Sequence, residues 1–167
     1  VVKGGETVTK RVRITRNGPI VDEILPGVAT GTGPVSFRWI GHEPCDEITS
    51  MLNAAQAGTA AEFREALRTW VVPTLSYGFA DAEGHIGYQA AGRVPIKESW
   101  GRGYRPGWDP NHQWRATIPF NDMPQLKDPD RGWIGSANNR TAPDGFPYPL
   151  SGVWSSGHRA RRIRQMI

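Results

Sequence analysis

The sequence has little cysteine and no long apolar run. Cys45 is the single cysteine among the 167 residues, which excludes an internal disulfide framework and a zinc site built from cysteines. No stretch approaches the about 18 consecutive apolar residues of a membrane-spanning helix, and no signal peptide is visible. We therefore expect no membrane partner for this chain.

Recognisable catalytic groups are also scarce. The sequence has no GxSxG nucleophile elbow, although Ser136 lies in "GSAN". Cys45 falls at a predicted helix start, where packing is its expected role. The histidines are scattered, with none paired at metal-ligand spacing; they are His42, His85, His112 and His158. The loop carboxylates lack the spacing of a calcium-binding loop, so we expect these carboxylates to be solvated; they are Asp122, Asp128, Asp130 and Asp144. The residues alone identify no nucleophile and base.

The composition is that of an ordinary soluble chain with a small positive charge. Apolar residues make up 38% and charged residues 22%, which fits one domain or part of a larger one. The net charge of +4 is concentrated near the carboxyl end, in Arg159, Arg161, Arg162 and Arg164. Such a patch is typical of a solvated helix face when no nucleic-acid-binding module accompanies it. We predict no nucleic-acid partner.

The first 42 residues have the pattern of β structure. "ETVTKRVRIT" alternates, with Val8, Val12 and Ile14 on one face, which predicts a half-buried strand. Asn17-Gly18 then predicts a two-residue hairpin turn, and "PIV" a return strand. A further short strand is expected at residues 35–39.

Residues 43–73 have the pattern of a helical hairpin. Gly58 ends the first helix, and Thr59 with Glu62 forms a capping box that begins the second. Pro73 ends the second helix. Both apolar stripes are expected to pack in the core; they consist of Ile48, Met51, Leu52 and Ala55, and of Phe63, Ala66, Leu67 and Trp70.

Residues 74–167 are predicted to contain strands among many loops. A second hairpin is expected around the "DAEGH" turn, and a strand at residues 133–136. Glycine and proline are frequent after residue 92, and a helix is expected from about Gly157. Strands, then helices, then strands predict an α+β fold.

The segment "GWIGSANNRTAPDG" places two carboxamides, Asn138 and Asn139, at the end of a predicted strand. Asparagine is a good turn former, because its side chain bonds nearby backbone groups and it tolerates left-handed geometry. A fixed carboxamide N–H can also stabilise the oxyanion that develops during acyl transfer. The residues alone leave both explanations open, with turn formation the more general one.

Several separate motifs, in their expected order, resemble the penicillin acylase family of N-terminal nucleophile amidohydrolases. They are "FADAEGHIGYQAAGRVPI", "PGWD…W…IPFNDMPQLKDPDRGWIGSANNR" and "W…GHRARRI", within residues 79–164. The likeness extends to "RNGPI" and "FREALRTWVVP", and so over nearly the whole chain. It implies a partial αββα sandwich of antiparallel strands plus an αα-hairpin. Residues 1–167 would be one segment of a larger β chain, without the strands that bear the nucleophile.

The resemblance also implies a catalytic site that is completed from outside this chain. In the family, autocatalytic cleavage of a precursor leaves a serine at a new amino terminus, and its own α-amino group acts as the base. That serine would lie upstream of Val1, since the chain looks like an excised segment. By position, the family's oxyanion asparagine falls on Asn138 and its orienting arginine on Arg159. Asn139 and Arg140 are expected to shape the loop.

The implied function is hydrolysis of a linear amide, such as an acylated β-lactam or an acyl-homoserine lactone, through a serine acyl-enzyme. We expect the isolated chain to be inactive, with the remaining α and β segments of the same precursor and a small-molecule amide as partners. Self-association through uncovered strand edges is also expected. The resemblance implies no cofactor in this segment, leaves calcium binding open for the parent enzyme, and suggests an exported or periplasmic location.

A different class of function is a noncatalytic module that binds carbohydrate or peptide. Six of the seven tryptophans lie from Trp70 onward, which suggests packing surfaces or an aromatic cleft. Trp100, Trp108 and Trp114 would then form an exposed platform. Quenching of tryptophan fluorescence by ligand would distinguish this alternative.

Overall fold

The computed structural model describes residues 3–25, 27, 31–98 and 103–167. The chain divides into two compact units, Val1–His42 and Glu43–Ile167. In the first unit, strands β1 (Ile14–Thr15) and β2 (Gly18–Pro19) pair antiparallel, and a single bridge joins Ile20 to Ser36. This unit is therefore a short β ribbon followed by irregular chain.

The predicted amino-terminal hairpin exists, but it is shorter than expected and its turn is shifted. Residues 6–13 are exposed and outside any strand, because an alternating pattern needs a covering layer to become a stable strand. The turn is Arg16–Asn17, since Thr15 pairs with Gly18. Gly18 has a φ of +105°, and a Cβ there would lie 2.1 Å from the Phe37 carbonyl oxygen, so this position requires glycine. The predicted strand at 35–39 is reduced to the Ser36 bridge.

The helical hairpin begins the second unit, with α1 at Glu47–Gln56 and α2 at Ala60–Ala66, followed by one turn of 3₁₀ helix. Asp46 caps α1 by accepting a hydrogen bond from the Thr49 N–H at 3.0 Å. The predicted capping box of α2 is confirmed: the Thr59 hydroxyl accepts from the Glu62 N–H. The Glu62 carboxylate in turn accepts from the N–H of Gly58 at 2.8 Å.

The predicted core stripe of α1 is wrong. Ile48, Met51 and Leu52 are 72%, 60% and 57% exposed, whereas Ser50 is fully buried and donates a hydrogen bond to the Ala66 carbonyl at 2.7 Å. Helical spacing identifies a common face but not which neighbour covers it, and here the serine face meets α2. On the second stripe, Leu67 is buried, as expected.

A three-stranded antiparallel sheet forms the centre of the second unit. The order is β3 (Leu75–Ala80), β4 (Ile86–Ala91), β5 (Gln125–Lys127), and the β3–β4 hairpin confirms the one predicted around "DAEGH". One face carries the hydrophobic core, which consists of Tyr88, Ala90, Val94, Ile118 and Met123. On the other face, Phe63 of α2 contacts the rings of Tyr77 and Phe79.

Gln89 occupies the middle of this sheet and is fully buried. Its Oε1 accepts a hydrogen bond from Arg64 Nε at 2.9 Å, and its Nε2 donates to the Ala90 carbonyl at 2.9 Å. Arg64 also donates from Nη2 to Asn121 Oδ1 at 3.1 Å, and its guanidinium lies 4.8 Å from the centre of the Phe120 ring. A single pair of polar side chains thus joins the sheet, α2 and the turn Phe120–Asp122.

The last third of the chain is mostly loop, as predicted. The expected strand at residues 133–136 is wrong, because these residues are irregular. Among the described residues of this region, the β structure consists of β5 and a Pro95–Thr117 bridge. The carboxyl-terminal helix is confirmed as α3 (His158–Met166), with Ala160 buried. In the described ranges, no helix has the length and apolarity needed to cross a membrane.

Asp128 closes the β3–β4 hairpin from the end of β5. Its Oδ1 accepts from the Ile86 N–H at 2.9 Å, and its Oδ2 lies 2.9 Å from His85 Nδ1. The hydrogen bond from Ile86, followed by the interaction with His85, holds the pKa of the Asp128 carboxyl below its ordinary value of 3.8. Ionisation of Asp128 therefore stabilises the folded chain relative to the unfolded one.

We expect Gln89→Ala to lower the free energy of unfolding by about 2–3 kcal/mol, because it leaves a cavity and removes the acceptor of Arg64. Urea denaturation followed by circular dichroism measures this change. Gln125→Ala is the matched control, since Gln125 lies opposite Gln89 on β5 but is exposed. Equal effects of the two substitutions would contradict this account of the sheet.

We expect Asp128→Asn to reduce the loss of stability in acid. A carboxyl with a lowered folded-state pKa stabilises the fold above its unfolded-state pKa, and this contribution is lost as the pH falls through the folded-state value. Urea titrations between about pH 7 and pH 2 should thus show a shallower decline than in the unsubstituted chain. Asp130→Asn, which removes an exposed carboxylate two residues away, is the control. A parallel decline in all three proteins would refute the role of Asp128.

Candidate active site

Asn138 lies in a loop that holds its backbone in the left-handed region. Its φ is +57°, a conformation that asparagine adopts more readily than most residues with a Cβ. The neighbouring Ala137 is buried, and the Asn138 carbonyl accepts a hydrogen bond from the Ser155 N–H at 3.1 Å. The backbone on both sides of the carboxamide is therefore fixed.

The structure brings the two predicted site residues together. Arg159, in the first turn of α3, donates from Nη2 to Oδ1 of Asn138 at 2.7 Å. A guanidinium has donors and no acceptor, so this contact requires the amide oxygen to face Arg159. The Nδ2 group of Asn138 is consequently directed away from the arginine, with its N–H donors available to another acceptor.

Asn139 and Arg140 bond within the loop, in agreement with the expectation that they shape it. Asn139 Oδ1 accepts from the Ala137 N–H at 2.9 Å, and its Nδ2 donates to the Arg140 carbonyl at 3.0 Å. Arg140 contacts Asp144 Oδ1 at 2.5 Å and donates to the Pro143 carbonyl at 3.0 Å. The two adjacent asparagines thus make different contacts: Asn139 bonds within the loop, whereas Asn138 bonds with Arg159 of α3.

A cavity of about 640 Å³ adjoins Asn138 and Arg159. Its wall combines hydroxyl groups with apolar side chains from the start of β3, the loop and the segment before α3; these are Thr74, Leu75, Ser76, Ser136, Ala137, Asn139, Thr141, Val153, Trp154 and Ser155. The residues contributed by β3 were not among the predicted site residues. They meet the Asn138 loop only in the folded chain, and no local motif marks them.

The cavity can stabilise negative charge but lacks a group that could activate a nucleophile. Arg159 is the only ionisable side chain among the described residues that line it. Ser136 supplies a hydroxyl without a histidine, carboxylate or amine beside it in that lining. A fixed amide donor backed by a cation is suited to bind a developing oxyanion.

The other candidate catalytic groups lie elsewhere. His85 is paired with Asp128 at the hairpin turn, and His112 Nε2 lies 3.7 Å from Asp109; neither histidine lines the Asn138 cavity. Cys45 is exposed, so the expected packing role is wrong. Its hydrogen bond with Glu47 raises the pKa of the thiol, which disfavours the nucleophilic thiolate.

The loop carboxylates show no metal-binding arrangement. Throughout the described ranges, no three side chains of histidine, cysteine, aspartate or glutamate form a group that could hold a metal ion. Asp122 accepts a hydrogen bond from the Tyr148 hydroxyl at 2.8 Å, while Asp128 and Asp144 have the partners given above. The sequence expectation about calcium concerns the parent enzyme and stays a prediction.

The tryptophans of the alternative binding platform differ in environment. Trp108 is 82% exposed, whereas Trp114 is partly buried and has Lys97 Nζ 5.4 Å from its ring centre. Trp100 lies outside the described residues. The described part of the chain thus offers one exposed ring of the three, and no observation here favours this second function.

Comparison with known proteins finds relatives that are named as acylases. The chain is 31% identical to the acyl-homoserine lactone acylase QuiP of Pseudomonas aeruginosa, over 99% of this chain and 20% of that protein. It is also 31% identical to the penicillin acylase 2 proenzyme of Pseudomonas sp. strain SE83, over 99% of this chain and 21% of the proenzyme. The chain therefore spans about a fifth of the length of these curated relatives.

The fold is similar to that of a solved acylase. The thermostable penicillin G acylase from Alcaligenes faecalis superposes with a TM-score of 0.68 at 21% identity, over 99% of this chain and 30% of that one. This likeness supports a mixed fold of helices and antiparallel sheet. The sequence model of the penicillin amidase family matches residues 1–167. The chain therefore belongs to the penicillin amidase family.

Proposed function

We propose that this chain supplies the oxyanion-stabilising part of a larger amidohydrolase that cleaves linear amides. The observation that carries the proposal is the 2.7 Å hydrogen bond from Arg159 to Asn138 Oδ1, at the wall of a cavity of about 640 Å³. It fixes the amide oxygen and leaves the Nδ2 donors for a substrate. Turn formation alone accounts for Asn139 but gives no reason for this contact between residues 21 positions apart.

In the proposed reaction, the nucleophile is an amino-terminal serine that lies outside these 167 residues. The serine Oγ attacks the carbonyl carbon of the amide, and the hydroxyl proton passes to the serine's own α-amino group. The π electrons of the carbonyl move onto its oxygen, which accepts a hydrogen bond from Asn138 Nδ2. Because the donor is held before the reaction starts, it stabilises the transition state by about 2.7–4 kcal/mol.

The surrounding fold suits this role. β4 is covered on one face by the core and on the other by α2, as in a layered sandwich. Within the described residues, β3 pairs only with β4, so its outer edge could accept a further strand. We propose that the nucleophile-bearing strands continue the sheet there, completing an αββα N-terminal nucleophile hydrolase. The strands would come from the remaining α and β segments of the same precursor.

The relatives suggest the substrate class. Their names are those of acyl-homoserine lactone acylases and penicillin acylases. We therefore propose an acyl-homoserine lactone or an acylated β-lactam as the type of substrate. The isolated chain, without the serine, is expected to be inactive towards chromogenic acyl anilides.

In the complete enzyme, Asn138→Asp should lower kcat by about 10²–10³-fold while KM changes little. Aspartate tolerates the left-handed backbone and still accepts from Arg159, but it has no N–H to give to the oxyanion. Steady-state kinetics with an acyl anilide measure the effect, and the melting temperature should be unchanged.

Asn139→Asp provides the matched control for that substitution. It makes the same chemical change one residue away and keeps the acceptor of the Ala137 N–H, so kcat should stay within about twofold of the original. Unaltered turnover in Asn138→Asp, or an equal loss in both variants, would remove the oxyanion role from Asn138.

Arg159→Lys should lower kcat by about tenfold, equivalent to ~1.4 kcal/mol, with little change in KM. The ammonium keeps the charge but not the planar, rigid donor geometry that orients the carboxamide. Arg161→Lys, at an exposed position on the same helix, is the control and should leave both constants unchanged. A rise in KM alone would place Arg159 in substrate binding instead of carboxamide positioning.

A further inference from the structure

The turn of the amino-terminal hairpin contains an asparagine that is followed by a glycine. Each of the other asparagines precedes a residue that has a Cβ, so Asn17 is the exception. Because glycine has no Cβ, its peptide nitrogen is open to close approach by the preceding side chain. Packing retains the glycine, since a Cβ at Gly18 would collide with the Phe37 carbonyl oxygen. The fold therefore keeps a sterically open pair of residues at this turn.

Arg38 contacts the carboxamide of Asn17. Its Nη1 donates a hydrogen bond to Asn17 Oδ1 at 3.3 Å. A guanidinium always carries its positive charge, so it stabilises the negative charge that develops on this oxygen when a nucleophile attacks Cγ. Arg38 is exposed, and the surrounding water makes this stabilisation weaker than in a closed active site. The contact nevertheless makes Cγ of Asn17 a better electrophile than the same carbon in a carboxamide without a cationic donor.

Few bonds hold the turn closed. Strands β1 and β2 contain two residues each. The Thr15 hydroxyl accepts from the Asn17 N–H at 3.1 Å and donates to the Gly18 carbonyl at 3.0 Å. A two-stranded hairpin is only marginally stable in water, so it opens locally with a small rise in free energy. Opening separates Gly18 from its partner Thr15 and lets the Gly18 nitrogen reach Cγ of Asn17.

We propose that Asn17 is a site of spontaneous modification, at which its carboxamide becomes a carboxylate through a cyclic imide with Gly18, assisted by Arg38. Hydroxide from solvent removes the Gly18 N–H proton, and the nitrogen forms a bond to Cγ of Asn17. The π electrons of the Cγ carbonyl move onto Oδ1, beside Arg38, and return as the Cγ–Nδ2 bond breaks. Nδ2 leaves as ammonia with a proton from water, so the hydroxide is regenerated.

Water then opens the imide in two ways. Addition to Cγ breaks its new bond to the Gly18 nitrogen and leaves aspartate at position 17. Addition to the backbone carbonyl carbon breaks the original peptide bond and leaves isoaspartate, in which the chain runs through Cγ. Aspartate preserves the backbone and places a carboxylate beside Arg38, whereas isoaspartate adds a backbone atom and disrupts the pairing of Thr15 with Gly18. This modification does not rest on the proposed amidohydrolase function.

The test follows the complete enzyme during incubation at mildly alkaline pH. Digestion with pepsin in acid, where hydroxide is scarce, and mass spectrometry show whether the peptide that contains Asn17 has exchanged NH2 for OH. Asn121 is the internal comparison, because Arg64 donates to its Oδ1 at 3.1 Å but Asp122 follows it. Conversion at Asn17 should be at least about tenfold faster than at Asn121, since a Cβ on the following residue hinders ring closure.

Two substitutions at the turn should act in opposite directions. Arg38→Gln should slow conversion at Asn17 at least about threefold, because the charge beside Oδ1 is lost. Thr15→Val keeps a β-branched residue but removes the hydroxyl that closes the turn, and it should accelerate conversion at least about twofold. Arg11→Gln is the control, since it removes an exposed arginine of the same unit and should leave the rate unchanged.

Enzyme unfolded in guanidinium chloride gives the reference rate for the bare sequence. If Asn17 keeps its amide in the folded enzyme while it converts in the unfolded one, the turn protects the residue and the proposal is overturned. Equal rates in Arg38→Gln and the unsubstituted enzyme would also overturn it, because the reaction would then proceed without assistance from Arg38. Melting temperatures establish that each variant folds.

Discussion

The hydrogen bond between Arg64 and Gln89 is the interaction on which the second unit depends. A fully buried amide in a central strand is costly unless its polar atoms are satisfied, and here α2 supplies the donor and the adjacent backbone the acceptor. The same guanidinium reaches Asn121 and Phe120, so three segments distant in sequence are positioned by one side chain. Residues at the start of β3, the first strand of this sheet, line the Asn138 cavity.

The candidate site combines contacts that fix the backbone around Asn138 with one contact that orients its side chain. Asn139 and Ser155 hold the backbone, and Arg159 orients the carboxamide of Asn138 from a different element. Neither of the two site residues is buried, so packing does not account for their contact. The contact instead pairs a donor-only cation with the oxygen of an amide, which directs the amide nitrogen away from Arg159.

The sequence predicted the features that arise from local chemistry. The Thr59–Glu62 capping box, the hairpin around "DAEGH" and helix α3 all follow from neighbouring residues. The wrong predictions are those that depend on which residues are buried. The apolar stripe of α1 is exposed, and residues 133–136 form no strand. The short strand β5 was not predicted, because it has no periodic pattern of its own. Asn138 and Arg159 were identified by family resemblance, because no local rule joins residues 21 positions apart.

The left-handed backbone of Asn138 has a consequence for how this family diverges. Few side chains accept a φ of +57° without strain, and the best tolerated replacements are glycine and aspartate. Both lack the amide donor. The replacements that the backbone tolerates best at this position are therefore ones that cannot perform the proposed chemistry. Under the proposed function, such a substitution would remove the amide donor without a cost in backbone strain, so thermal stability would carry no sign of the loss.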